Sequence, residues 1–369
     1  MAQPPGPYCF HASNKTPPAP PPPPKPPSEW FVGLQPRSID VTHSSFRDIG
    51  RAMVSRAAVF MEAASACRVA HNRIDGTPRY GIGSNTDYAT MNARDNVFEY
   101  NLLSRTNELS TDTGAIEALG SGNPNDAPAP WFTNTSIRFN NISQTVGCSI
   151  ASGKQVSVHG DKPGGRGLVW GVYLDGGQAG ISVHGNIISG ALAGAVFDNA
   201  GGNNSQTNNV FLGEPISSHL MEIGADPRKN KPNPPRSVYG NRILRNIFVT
   251  RSNATIAIGS VDPFTPYMLK ENASGSDRNL FWSTVPGPVL FRSSPHDNLS
   301  QWRQLGFDRG SRVADPLFIN ADDGDFRLQA KSPAYDLGFE PLPTGRMVAP
   351  RALCHGDACL RQVFAEQTQ

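Results

Sequence analysis

The chain has 369 residues, with 36 Gly, 33 Pro, only 17% charged residues and a formal net charge of +2. That length is enough for a large core or two domains. The weak charge supplies no field for nucleic acid or an acidic membrane surface, and no apolar run approaches the ~20 residues of a membrane span. The five cysteines, Cys9, Cys67, Cys148, Cys354 and Cys359, lack the paired spacing of a zinc site. Cys354 and Cys359 are spaced for a small disulfide loop, although two free thiols are the preferred reading. No metal and no cofactor is expected.

The first residues carry neither a basic n-region nor an apolar h-region, so no signal peptide is expected. Residues 1–38 read as a disordered Pro-rich segment, almost pure proline between Pro17 and Pro27. Such a stretch is polyproline II or a spacer. From Asp40 a pattern begins. Short partly alternating runs recur, each followed by Asn and two or three aliphatic or aromatic residues. Examples are Cys67–Ile74, Asp95–Leu103, Thr135–Ile142, Gly180–Ile188, Thr207–Phe211 and Tyr239–Val249. Asn72 and Asn96 lie 24 residues apart, and Asn186 and Asn209 lie 23 apart. Wider gaps, such as Asn101 to Asn141, contain Pro-, Gly- and Asn-rich insertions.

A period in the low twenties with short β-branched strands is a solenoid signature. The Asn has a mechanism. It tolerates the left-handed backbone of a corner, and its amide can bond to the equivalent amide of the next coil. Residues 51–66 are Ala-rich enough for a helix, but within the solenoid they read as a loop followed by the strand Ala58–Glu62. The expected fold is all-β: one right-handed parallel β-helix over residues 39–345, with an irregular tail at 346–369.

The motifs Val69–Asp75, Arg94–Leu102 leading into Thr111–Ile116, and Gly171–Gly176 resemble those of the pectate-lyase-like β-helical glycoside hydrolases, a group with α-L-fucosidase and xylanase activities. The runs Ala314–Phe318, Gly324–Leu328 and Ser332–Gly338 are similar to the closing segment of β-helical carbohydrate-active proteins. The resemblance implies a polysaccharide or oligosaccharide substrate, a monomer and an extracellular setting. It also implies that Asp112 and Asp175 are the catalytic carboxyls.

Glycoside hydrolysis needs two carboxyl groups flanking the scissile bond, one to protonate the leaving oxygen and one to activate water or attack. Asp112 and Asp175 are 63 residues apart. Once the inserted stretches 123–130 and 152–167 are removed, that separation corresponds to about two coils. Coils ~4.8 Å apart would put the two backbones on the order of 10 Å from each other. Tyr173, Glu117 and His71 are candidate substrate-binding residues, although His71, like His184, has the default reading of a solvent-facing ladder position. The sequence departs from the family at four places. Gly176 stands where a second Asp is usual, Thr111 where an acid is common, Glu117 where a tyrosine is expected, and Arg79-Tyr80 where a His-containing turn is found. Two other functions stay open: a non-catalytic carbohydrate-binding or surface protein, and a polysaccharide lyase. The acids of Asn320–Asp325 read as a tight turn in preference to a calcium loop.

Overall fold

The computed structural model describes residues 35–50, 52, 56–85, 93–120, 133–150, 156–158, 169–199, 201–215, 217–224, 240–260, 275–292 and 297–347. The Pro-rich lead, the tail beyond residue 347, the cysteines Cys9, Cys354 and Cys359, and most of the two inserted stretches lie outside these residues. The described chain winds through three long sheets of eight, nine and nine strands. The first begins with Asp40–Thr42 and continues through Arg68–Ala70 and Val97–Glu99; the second begins with Ser45–Arg47 and Arg73–Asp75; the third begins with Val59–Glu62, Ile82–Asn85 and Thr113–Leu119. Nearly every neighbour pairing in these sheets is parallel, and each links one coil to the next. This is the right-handed parallel β-helix expected from the repeat. The Ala-rich stretch at 51–66 supplies a strand, Val59–Glu62, and no helix among its described residues.

The corner between the first and second sheets carries a continuous amide ladder. The backbone N–H of Asn72 and its Nδ2 both donate to Asn101 Oδ1, at 3.1 and 3.0 Å. The same double bond repeats from Asn101 to Asn140, Asn140 to Asn186, Asn186 to Asn209, Asn209 to Asn246 and Asn246 to Asn279. Each amide also donates back to a carbonyl of the preceding coil, as Asn186 does to Ile137 at 2.8 Å. The ladder begins at Ser44 N–H and ends on Ser311 Oγ. All these Asn side chains are buried, so every polar group has to be met inside the stack.

Two sequence expectations change here. The left-handed residue at the corner is the one before the ladder Asn: His43, His71, Tyr100, Phe139, Gly185, Asn208, Arg245 and Arg278 all have φ between 51° and 64°. The Asn therefore provides hydrogen bonds, and its neighbour takes the turn. The period is also not fixed. Ladder partners lie 29, 39, 46, 23, 37 and 33 residues apart, so one coil alone has the minimal length. Asn96 belongs to a different corner, where it accepts from Cys67 N–H. The spacing of 24 between Asn72 and Asn96 thus compared unlike positions.

Inside the coils, aliphatic residues fill the first half and a stack of rings fills the second: Phe211, Phe248, Phe281, Phe291, Trp302 and Phe307, with centroids 4.8–5.5 Å apart. The helix Leu299–Gln304 inserts Trp302 into this end. Beneath it the buried Asp308 accepts hydrogen bonds from Ser276, Asn279, Ser311 and Trp302 Nε1. The closing hairpin Phe318–Asn320 with Asp325–Leu328, and residues to Met347, cover the outside of the second sheet through Phe326, Leu337, Phe339 and Met347. Asn320–Asp325 is a single 3-10 turn in which Asn320 Oδ1 accepts from Asp323 N–H, and Gly324 closes it at φ 77°. Among the described residues no helix is long and apolar enough to cross a membrane.

Replacing Asn186 by Ala leaves the Asn140 N–H and the Ile137 carbonyl without a buried partner. We expect a loss of roughly 2–5 kcal/mol of stability, read from the urea midpoint at unchanged slope. A loss below ~0.5 kcal/mol would show that the ladder does not carry the corner.

Candidate functional site

The strand Thr113–Leu119 is fixed at its start by the preceding coil. Asn107 Nδ2 donates to Thr113 Oγ1 and to the Gly114 carbonyl, at 3.0 and 3.1 Å. Ser110 Oγ donates to the Pro78 carbonyl at 2.9 Å, and Arg79 Nη2 donates to the Asp112 carbonyl at 3.2 Å. Asp112 is exposed and takes a left-handed conformation, φ 57°, one of the few non-glycine types that tolerate it. It therefore sits at the mouth of the strand with its carboxyl group outward.

The neighbouring strand is Val169–Asp175, paired from Val169 opposite Thr113 to Asp175 opposite Leu119. Asp112 and Asp175 are thus on adjacent coils, not two coils apart, and at opposite ends of the strand pair. The insertions take up more of the sequence separation than the sequence reading allowed. A corner brings the two ends together. Pairing skips Ala115 and Gly171 and resumes at Ile116 and Val172, and the ladder skips again at Ala195, Leu220 and Ala257 in later coils. Gly114 is pressed against the next coil there: a Cβ on it would lie 2.9 Å from Tyr173 Cβ and 2.9 Å from Tyr173 N. Only glycine fits that approach.

Tyr173 bridges the two aspartates. Its hydroxyl donates to Asp112 Oδ1 at 3.3 Å. Asn199 Nδ2 lies 3.5 Å from the same hydroxyl and donates to Asp175 Oδ1 at 2.7 Å. This chain of contacts holds one oxygen of each carboxyl group within about 10 Å of the other. Gly176 N–H also donates to Asp175 Oδ1, at 2.7 Å. Gly176 stands where it does for a local reason: it has φ +64°, and a Cβ there would be 2.7 Å from the Gly120 carbonyl oxygen.

Glu117 lies between these groups and is only 2% exposed. It is flanked in the ladder by Gly83 on one coil and Tyr173 on the next, and its Oε2 accepts from Gly114 N–H at 3.0 Å. Burial pushes its carboxyl up to about 8. The Asp175 charge adds to that rise, against the pull of Arg79 and the Gly114 bond. The hydroxyls of Tyr80 and Tyr173 are likewise held protonated by burial and by the surrounding carboxylates. The Arg79 guanidinium lies over the Tyr80 ring, 4.6 Å from its centroid. Its Nε is buried with no hydrogen-bond partner among the described residues.

Four of the five candidates therefore come together: Asp112, Asp175, Tyr173 and Glu117. His71 does not. It stacks at 4.9 Å on His43 and at 5.0 Å on Tyr100 along the Asn-ladder corner, in a column that continues through Phe139 to His184. The left-handed residue of each coil points outward at the same height as its neighbours, so rings at that position stack on one another. His71 is thus a ladder residue, away from the other four candidates. Arg79, Tyr80 and Asn199 join the site without having been singled out for it. The signal available was Arg79-Tyr80 standing where the related pattern has a His-containing turn. The signal for Asn199 was the repeat itself, since it follows Asp175 by 24 residues, one coil of near-minimal length. No cluster of three or more His, Cys, Asp or Glu among the described residues is arranged to hold a metal ion.

The raised pKa of Glu117 has a stability consequence. Its folded value, about 8, lies above the ordinary 4.5, so the folded state keeps a proton that the unfolded chain releases between those values. The associated stability is complete below about 4.5 and is lost as pH rises through 8. Asp198, buried and pushed up to about 7, slopes the same way. Comparing wild type with Glu117→Gln isolates the Glu117 part. We expect the melting temperature of wild type to fall more steeply than that of Glu117→Gln between acidic pH and pH 9. Parallel curves would contradict this.

No protein-family model matches the sequence, and no curated protein matches it. Among solved structures the chain is similar to the A-module of mannuronan C-5 epimerase AlgE4 from Azotobacter vinelandii. That likeness has 10% identity and a TM-score of 0.45, and covers 76% of this chain and 59% of that one. The chain is also similar to XylC in complex with xylose, with 12% identity and a TM-score of 0.36, over 69% of this chain and 39% of that one. The chain thus spans less than two thirds of the length of either protein.

Proposed function

We propose that this protein is a carbohydrate-active β-helix that hydrolyses a glycosidic bond of a polysaccharide, with Asp112 and Asp175 as the two carboxyls acting across that bond. The observation that carries the reading is the convergence of Asp112, Asp175 and Glu117 around the Tyr173 hydroxyl on the outer face of the third sheet. Asp112 is exposed and Asp175 half-buried, so both can meet a ligand lying on that face. One gives a proton to the departing oxygen, and the other activates water or attacks the anomeric carbon.

Glu117 is too buried to touch the ligand in this conformation. It acts as a positioning residue: its Oε2 accepts the Gly114 N–H beside Tyr173, and as a neutral carboxyl at neutral pH it spares the pocket a third negative charge. Above about 8 it ionises, and the aspartate that must donate a proton then faces more negative charge.

The test is a panel of plant and algal polysaccharides with reducing-end detection and an absorbance check for unsaturated products. Asp112→Asn and Asp175→Asn should each lower cleavage by roughly 10²–10⁴-fold. Glu117→Gln should keep most of the activity at neutral pH. Unsaturated products would make the chain a lyase. Unchanged cleavage in both Asn variants would remove these residues from the mechanism.

A further inference from the structure

Phe60 is one of four large apolar residues left exposed among the described residues, at 48%. The other three, Ile39, Val313 and Ile319, belong to the first coil, the last rung and the closing hairpin. Phe60 lies on the third sheet in line with the candidate site. It pairs with Gly83, and Gly83 pairs with Glu117. Its ring rests on Gly83, where a Cβ would lie 2.5 Å from Phe60 Cδ2. It also stacks on Tyr80 with centroids 5.9 Å apart and planes 26° from parallel. Tyr80 in turn carries the Arg79 guanidinium, which bonds Asp112. A run of contacts therefore links exposed Phe60 to Asp112 through the buried Tyr80 and through Arg79.

We infer that Phe60 is a sugar-binding platform for a pyranose ring remote from the bond that is cleaved. The inference rests on the carbohydrate reading above and adds a length and a direction to it. Rungs of a parallel sheet are ~4.8 Å apart, so Phe60 stands about 10 Å from the rung of Glu117, farther than a single sugar ring spans. A ring stacked on Phe60 must belong to an oligosaccharide lying along the solenoid axis. On the other side of Glu117 the aromatic residues are closed off. Tyr173 and Phe197 stack on each other and are 3% and 7% exposed, and Trp170 beside them is fully buried. The exposed aromatic ring, Phe60, lies on the side of the earlier coils, so the substrate extends that way. An amphiphilic sugar ring, apolar on its C–H face and polar at its rim, matches an aromatic plate that is half in water.

The experiment places wild type, Phe60→Ala and Phe60→Trp, all in an Asp112→Asn, Asp175→Asn background so that ligands stay intact, on an array of immobilised plant and algal oligosaccharides from disaccharide to octasaccharide. Phe60→Ala should lose affinity on the order of tenfold for the long oligosaccharides and none for the shortest, and Phe60→Trp should restore it. An equal loss at every length, or no loss at any, would overturn the platform and leave the carbohydrate reading standing. If the unsubstituted background protein retains no glycan, both fall together.

Discussion

A buried amide in a solenoid can be satisfied only by the coils above and below it. That constraint organises this protein. Each ladder Asn accepts two hydrogen bonds from one neighbouring coil and donates to backbone and side chain on both sides. Each must therefore stand at the same height in its coil as its partners. The residue before it is forced into the left-handed region, at a cost of roughly 1–2 kcal/mol for a residue with a Cβ. Stacking offsets part of that cost where the residue is a ring, as in the column His43, His71, Tyr100 and Phe139. The ladder fixes the register at one corner, so the coils can take insertions elsewhere without losing alignment.

The candidate site uses that tolerance. Its strands keep strict register through the core residues Ile116, Val172 and Val196, while the chain between them varies widely in length. A second corner, at Ala115 and Gly171, folds each strand so that its two ends face one another. Small residues make the fold possible: Gly114 lets Tyr173 approach, and Gly176 lets Asp175 turn against Gly120. The outcome is a cluster of three acids, two buried tyrosines and one arginine. Burial and mutual repulsion then decide protonation, and the least exposed acid, Glu117, is the one that keeps its proton.

The fold was legible in the sequence because the Asn recurs before every aliphatic run, and a buried amide needs a partner on each coil. The coil length was not, because the spacing was measured between Asn72 and Asn96, which serve different corners. The two aspartates were legible as acids beside glycine next to strand-like runs. Their relation was not. It depends on a bend at Ala115 and Gly171 that no local propensity marks, since both residues are small and suit a strand interior as readily. His71 stands at a repeat position before Asn, and its height in the coil makes it one ring of a stack. Arg79 and Tyr80 were visible as a departure from the related pattern, but their distance from Asp112 follows only from the packing of Ser110 on Pro78.

Glu117 and Asp175 stand on adjacent coils, close enough for the Asp175 charge to raise the Glu117 carboxyl. A carbon-13 NMR titration of the Glu117 carboxyl tests this directly, in wild type and in Asp175→Asn. A midpoint near 8 in wild type that moves down when the Asp175 charge is removed is the predicted result. A midpoint near the ordinary 4.5, or one that ignores the Asp175 substitution, would contradict the arrangement described.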